Sequence, residues 1–124
     1  HCYLILRGGS ESGPNYEADQ LASAISLLAD QGLPASVIVD CSHGNSRKDH
    51  NRQAQVMASL CEQISAGQNA IRGVMLESHL VAGNQKVING IAPTYGQSIT
   101  DACLSLDATL PLLERMAETV RQSQ

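Results

Sequence analysis

The fold follows from the stretch VIVDCSHG, which spans residues 37–44. Val37, Ile38 and Val39 form an uninterrupted run of branched apolar residues, and this pattern predicts a short β-strand that is buried on both faces. The polar residues 40–43 follow directly at the carboxyl end of that strand. A strand of this kind is typical of the parallel sheet of an α/β protein.

Similar apolar runs, for which we expect the same burial on both faces, occur on either side of this strand. Tyr3 to Leu6 predicts a first strand, which Gly8 and Gly9 end, and Ile71 to Leu76 predicts a third. Apolar residues recur at helical spacing in three other segments: Leu21, Ala24, Ile25 and Leu28; Val56, Met57, Leu60, Cys61 and Ile64; and Leu110, Leu113, Met116, Ala117 and Val120. Strands that alternate with helices predict parallel strands joined by crossover helices, and therefore three consecutive β/α units.

Reactive side chains follow all three predicted strands. Arg7 comes after the first, His43 after the second and Glu77 after the third. Closed barrels and open sheets both place their sites at this carboxyl edge, but an open sheet gathers its ligand at one crevice, and no GxGxxG fingerprint is present. We therefore expect part of a barrel. A complete barrel takes about 250 residues, and the opening at His1 without a Met favours a chain cut from a longer one.

Composition limits the partners of this chain of 124 residues. Its formal net charge of -4 provides no basic surface for nucleic acid, and Asp49 interrupts the basic residues between 47 and 52. No apolar run approaches the roughly 20 residues that span a membrane. The four cysteines are widely spaced and form no CxxC pair, which favours free thiols in a reducing compartment. We expect a soluble, cytoplasmic protein that binds neither nucleic acid nor membranes.

His43 and Glu77 are candidate metal ligands. His43 lies beside Gly44 at a strand end, where its imidazole can point into a cavity, although a hydrogen-bonded turn histidine fits the sequence equally well. Glu77 follows a buried strand directly, where a carboxylate is costly unless it meets a cation or donors. A solvated loop glutamate is the alternative.

Asp101 and Arg7 are two further candidates. Asp101 lies three residues after Ser98, which is the spacing of a capping box, so taken singly its carboxylate fits a helix N-terminus better than a metal. Arg7 precedes two glycines, and a guanidinium beside open backbone N–H groups suits a phosphate, with a local ion pair as the alternative. One histidine and two carboxylates suit Mn, Fe, Co or Zn better than Ca or Mg.

Five short segments stand in the chain in a fixed order. They are LILRGG (4–9), GPNY (13–16), DCSHGNSRK (40–48), GVMLESHLVAGNQ (73–85) and YGQSITDAC (95–103). In these segments and their order, the chain resembles the microbial, feedback-regulated class of 3-deoxy-D-arabino-heptulosonate 7-phosphate (DAHP) synthases. The likeness runs over nearly the whole chain.

The resemblance implies both a fold and a function. Residues 1–124 would be the C-terminal portion of a TIM (β/α)8-barrel transferase that condenses phosphoenolpyruvate with erythrose 4-phosphate, at the entry to aromatic amino-acid biosynthesis. His43, Glu77 and Asp101 would bind a divalent metal, and Arg7 would bind the phosphate of phosphoenolpyruvate. The expected partners are the remainder of the barrel and other copies of the chain in a homo-oligomer.

The chain departs from the family pattern in two places. Ser10 to Gly13 stand where a lysine often follows LRGG. The family's fourth metal ligand, a cysteine, and its other phosphate-binding residues lie upstream, and neither Cys41 nor Cys103 occupies the context of that cysteine. We therefore expect the chain alone to be inactive. Asp40 and Lys48 lie near His43, but sequence spacing fixes no direction for their side chains, so neither is assigned a role.

Two other functions are compatible with the composition. One is a related barrel synthase that makes an eight-carbon sugar acid, against which the SHGNSRK and SITDAC segments argue. The other is a regulatory or interaction fragment that binds a partner and performs no chemistry.

Overall fold

The computed structural model describes residues 2–124 and has an α/β architecture. Its elements in chain order are β1 (Leu4–Leu6), α1 (Ala18–Asp30), β2 (Val37–Asp40), α2 (Gln53–Ser65), β3 (Ile71–Met75), β4 (Ser78–His79), β5 (Val81–Asn84), β6 (Gln97–Ser98), β7 (Leu104–Ser105) and α3 (Leu106–Gln122). A single 3-10 turn, His50–Arg52, leads into α2. The predicted α/β class is therefore confirmed.

The central element is a three-stranded parallel sheet in the order β1-β2-β3. Ile5 pairs with Ile38, and Val39 pairs with Val74. The three predicted strands are present, with Tyr3 and Leu76 falling just outside them. Because all three strands run in one direction, their carboxyl ends and the loops that follow lie at one edge of the sheet.

Helices α1 and α2 build the core against this sheet. Leu21 and Ala24 of α1 are buried, as predicted. The predicted stripe of α2 is confirmed in full, and Met57 and Leu60 are completely buried. Each such side chain contributes about 1.5–3 kcal/mol relative to an exposed one. The core therefore lies on the side of the sheet that these two helices cover.

The expectation that all strands are buried on both faces is wrong for the two outer strands. Only β2 is largely buried, whereas Ile5 of β1 is 47% exposed and Met75 of β3 is 42% exposed. The cause is the face of the sheet: Leu6 and Val74 pack into the core, whereas Ile5 and Met75 are one residue away along their strands and point to the opposite face.

The predicted helix α3 is present, but most of its apolar stripe is exposed. Thr109, Leu112, Met116 and Thr119 form the face that is at least partly buried. The remaining predicted residues are exposed: Leu110, Leu113, Ala117 and Val120. The helix therefore has an apolar face that nothing in the described part of the chain covers.

The connection between β3 and α3 contains four short strands that the sequence did not predict. β4 pairs with β7 and β5 pairs with β6, both in parallel. An antiparallel bridge joins Gly83 to Cys103. Strands of two to four residues carry too little periodicity to be recognised, yet they fold the connection back toward the sheet edge.

Within residues 2–124, no helix combines the length and the apolar character needed to cross a bilayer. His1, on which the expectation of a longer chain rests, lies outside the described residues. That expectation stays a prediction.

We predict that the isolated chain does not behave as a stable 13.2 kDa monomer. The free edges of β1 and β3 leave backbone N–H and C=O groups without strand partners, and an exposed edge recruits other strands. Each group that is buried unpaired costs about 1–3 kcal/mol. Light scattering should show association, or unfolding should be non-cooperative. A monodisperse monomer with one cooperative transition would contradict this. Below, "the assembled protein" means this chain together with any further polypeptide that covers these edges.

Candidate functional site

Asn45 connects the carboxyl ends of β1 and β2. Its side-chain Nδ2 donates to the carbonyl oxygens of Leu6 at 3.1 Å and Asp40 at 2.8 Å. Its Oδ1 accepts from the Asn15 N–H at 2.7 Å, and its own backbone N–H donates to the Arg7 carbonyl at 3.0 Å. Asn45 is 3% exposed, so these bonds have little competition from water. The loops after the two strands are therefore held together.

Two glycines allow these loops to touch. Gly8 has φ +69, and a Cβ on it would lie 2.7 Å from the backbone nitrogen of Asn45. A Cβ on Gly44 would lie 2.5 Å from the carbonyl carbon of Gly8. Only glycine fits where two backbones approach so closely. This contact brings Arg7 and His43 to the same cavity.

His43 is held by Asp40 and Ser42. Its Nδ1 lies 2.8 Å from Asp40 Oδ2 and 2.8 Å from Ser42 Oγ. Ser42 also donates to the second Asp40 oxygen, through its backbone N–H at 2.8 Å and its hydroxyl at 2.6 Å. With Nδ1 engaged in this way, Nε2 of His43 is the nitrogen that faces the other candidate ligands.

The structure brings His43, Glu77 and Asp101 together. One potential ligand atom from each lies within 4.8 Å of the others. Nε2 of His43 is 4.0 Å from Glu77 Oε1 and 3.9 Å from Asp101 Oδ2. These separations are too long for hydrogen bonds, and they leave room for an ion between the three groups. The side chains are partly exposed, so the cluster is open on one side.

Gln53 fixes the backbone of Glu77. Its side-chain nitrogen donates to the Glu77 carbonyl at 3.0 Å, and its side-chain oxygen accepts from the Glu77 N–H at 2.8 Å. Gln53 is the first residue of α2 and is fully buried. The helix therefore holds the residue that follows β3 at both of its backbone polar groups.

Asp101 does not cap a helix. The following helix, α3, begins at Leu106, and the Ser105 side chain caps it by accepting from the Ala108 N–H. Ser98 lies in β6 instead of at a helix start. The capping interpretation of Asp101 is thus wrong, because the segment that carries it is folded into short strands and turns.

Arg7 lines a cavity of about 440 Å³ together with His43, Arg47 and Lys48. In the described residues no carboxylate forms a salt bridge with Arg7, so the ion-pair alternative is not realised there. His43, Arg47 and Lys48 have positive φ angles of 51, 53 and 60. Such conformations are uncommon outside glycine and occur often at binding sites. The cavity is cationic and adjoins the His43 cluster.

Comparison with known proteins shows which family the chain belongs to. The model of the DAHP synthetase I family matches residues 1–114. The chain belongs to the DAHP synthetase I family. It is 48% identical over 120 residues to the phospho-2-dehydro-3-deoxyheptonate aldolase, Phe-sensitive, of Escherichia coli K12, which covers 97% of the chain and 34% of that protein. It is 47% identical over 118 residues to the Trp-sensitive aldolase of Salmonella typhimurium, covering 95% of the chain and 33% of that protein.

A solved structure agrees with these relatives. The phospho-2-dehydro-3-deoxyheptonate aldolase of Francisella tularensis SCHU S4 superposes with a TM-score of 0.90 at 48% identity, over 97% of this chain and 34% of that one. The chain thus spans about a third of the length of the relatives that it matches.

The buried cysteines Cys41 and Cys103 do not belong to the cluster of His43, Glu77 and Asp101. Burial, and secondarily the charge of Asp40, raise the pKa of the Cys41 thiol to about 12. Burial also raises the pKa of Cys103, whose sulfur lies 3.5 Å from the Asp101 carbonyl. Neither sulfur is among the potential ligand atoms that lie within 4.8 Å of one another, in line with the sequence, which gives neither cysteine that role.

Sequence reasoning missed three residues that hold the site: Asp40, Asn45 and Gln53. The sequence shows Asp40 as an acidic residue three positions before the candidate histidine, but only the structure gives the direction of its side chain. Asn45 and Gln53 are buried amides, and nothing in their sequence context distinguishes them from surface residues. Their partners are backbone groups up to 39 residues away.

We predict that Gln53→Leu destabilises the assembled protein, whereas Gln55→Leu does not. Leucine fills a similar volume but leaves the Glu77 N–H and C=O unpaired, at about 1–3 kcal/mol for each buried group. Gln55 lies on the same helix and is exposed. The midpoint of denaturant unfolding should fall for the first variant alone. Equal midpoints would show that the Gln53 bonds contribute nothing measurable.

Proposed function

We propose that the assembled protein is a DAHP synthase, which joins phosphoenolpyruvate to erythrose 4-phosphate. One observation carries the proposal: His43, Glu77 and Asp101 come from three separate segments, yet their ligand atoms lie within 4.8 Å of one another. Family membership supports the same function over the eight-carbon synthase.

The sheet is proposed to be the C-terminal part of a (β/α)8 barrel, with residues 1–124 as one fragment of that domain. Three observations support this: the parallel order β1-β2-β3, the two free sheet edges and the uncovered apolar face of α3. The chain also spans only about a third of its relatives. Barrel enzymes build their sites at the carboxyl ends of the strands, where Arg7, His43 and Glu77 lie.

A divalent metal fits the donor set. Two carboxylates and one imidazole form a mixed oxygen and nitrogen set that suits Mn, Fe, Co or Zn. His43 has its Nδ1 bonded to a buried carboxylate, which is the usual support of a metal-binding histidine. We therefore assign Nε2 of His43, with one oxygen each of Glu77 and Asp101, as the metal-holding atoms that this chain supplies.

The cationic cavity fits the phosphoenolpyruvate phosphate. Arg7 has a planar guanidinium that can donate two parallel hydrogen bonds to a phosphate. It opens onto the same cavity as His43, so a phosphate bound there lies beside the metal-holding residues. The role of this chain is then to place one substrate next to the other, which lowers the entropic part of the barrier.

The overall reaction balances with one water. A carbon–carbon bond forms between C3 of phosphoenolpyruvate and the aldehyde carbon of erythrose 4-phosphate, water supplies the new oxygen at C2, and inorganic phosphate leaves. When bound, the metal supplies a Lewis acid for the aldehyde oxygen or activates water. Arg7 holds the phosphate, and His43, Glu77 and Asp101 act as ligands and not as acid or base groups. A fourth ligand and further phosphate-binding residues come from outside the chain, so the chain alone is expected to be inactive.

We predict that alanine at His43, Glu77 or Asp101 removes both activity and bound metal from the assembled protein. Arg7→Ala should instead keep the metal and weaken phosphoenolpyruvate binding about tenfold or more, because one charge-assisted hydrogen bond contributes about 1.5–3 kcal/mol. Metal content by mass spectrometry and steady-state kinetics separate the two roles.

The exposed Glu62 on α2 provides a control, since Glu62→Ala removes a carboxylate away from the cluster. It should leave both metal content and rate unchanged. An Asp101→Ala variant with stoichiometric metal and a normal rate would exclude Asp101 as a ligand.

A further inference from the structure

We propose that Asp40 is a positioning residue that fixes the tautomer of His43, so that the lone pair lies on Nε2 and faces Glu77 and Asp101. This inference rests on the proposed function, because the tautomer matters for function only if Nε2 of His43 binds a metal. Asp40 contacts His43 at Nδ1 and not at the metal-holding Nε2, so it acts through the imidazole.

The Asp40 carboxylate has each oxygen engaged by a different group. Oδ1 accepts from the Ser42 N–H at 2.8 Å and from the Ser42 hydroxyl at 2.6 Å. Oδ2 lies 2.8 Å from His43 Nδ1. Asp40 is 2% exposed, so water does not replace these partners. The bonds to Ser42 therefore fix the orientation of the carboxylate that contacts the imidazole.

These contacts determine which nitrogen carries the proton. The Ser42 hydroxyl gives its hydrogen to Asp40, so toward His43 it presents only lone pairs, at 2.8 Å from Nδ1. Nδ1 therefore faces two acceptors, Ser42 Oγ and Asp40 Oδ2. A bare Nδ1 would place its lone pair against the lone pairs of both oxygens in a part-buried setting. The neutral ring carries its hydrogen on Nδ1 and leaves Nε2 free to bind.

The backbone holds His43 in the orientation that this bond requires. Its φ of 51 lies in the left-handed region, which is strained for a residue other than glycine. The carbonyl of His43 accepts from the Lys48 N–H at 2.9 Å and from the Ser46 hydroxyl at 3.2 Å. The loop thus keeps the imidazole against Asp40.

Asparagine at position 40 should reverse the tautomer. An asparagine has one oxygen and one NH₂ in place of two oxygens. Ser42 presents a backbone N–H that can only donate, so the amide oxygen must turn toward Ser42. The NH₂ group then faces His43 and donates to Nδ1. The imidazole hydrogen moves to Nε2, where it blocks metal binding.

The test is nitrogen NMR on the assembled protein. The protein is freed of metal, labelled with ¹⁵N-histidine and measured at alkaline pH. Protonated and bare ring nitrogens have well-separated shifts, and the loss of signals in His43→Gln assigns the residue. We expect a protonated Nδ1 in the natural protein, a protonated Nε2 in Asp40→Asn, and the natural pattern in Asp30→Asn. Asp30 ends α1 and is exposed, so its variant matches the charge change.

A metal titration gives the second readout. Zn²⁺ affinity should fall about 10–100-fold in Asp40→Asn and stay unchanged in Asp30→Asn. A bare Nδ1 in the natural protein overturns the inference, even if the Asp40→Asn variant does not assemble. An unchanged tautomer or an unchanged affinity in Asp40→Asn overturns it too. Failure of the natural protein to bind metal would refute the proposed function instead, while the metal-free spectra still decide the tautomer.

Discussion

The buried amide of Asn45 is the constraint on which the arrangement of the site depends. It hydrogen-bonds to the carbonyls of Leu6 and Asp40 and to the Asn15 N–H. These three backbone groups belong to the ends of two strands and to the loop between them. Without Asn45 each would be left unpaired, at about 1–3 kcal/mol for each that stays dry. The relative position of Arg7 and His43 follows from this one side chain and from the contact between Gly8 and Gly44.

The candidate metal ligands are positioned by residues that lie outside the cluster. His43 is oriented by Asp40, and Glu77 is fixed at its backbone by Gln53. Asp101 depends on the short strands of the connection, which fold it back over the sheet edge. The buried side chains of Asp40 and Gln53 support partly exposed ligands. The cluster therefore stays open to a metal and a substrate while its geometry is kept by hydrogen bonds to buried groups.

The sequence predicted the three main strands, the helices and the reactive residues at the sheet edge. It did not predict the buried side chains that hold those residues in place. The strand at Val37 and the stripe of α2 follow from local periodicity, and Arg7, His43 and Glu77 follow from their positions after strands. Periodicity predicts the apolar stripe that includes Leu110 and Leu113 of α3, but it cannot show whether a neighbour covers that stripe, and both residues are exposed. Asn45 and Gln53 were missed because their partners are distant backbone groups.

The proposed function requires a divalent metal between His43, Glu77 and Asp101. Anomalous diffraction from crystals of the assembled protein soaked in Zn²⁺ tests this requirement most directly. We predict a peak about 2.0–2.2 Å from His43 Nε2 and from one carboxylate oxygen each of Glu77 and Asp101. A fully occupied peak elsewhere, with these three side chains unliganded, would contradict it.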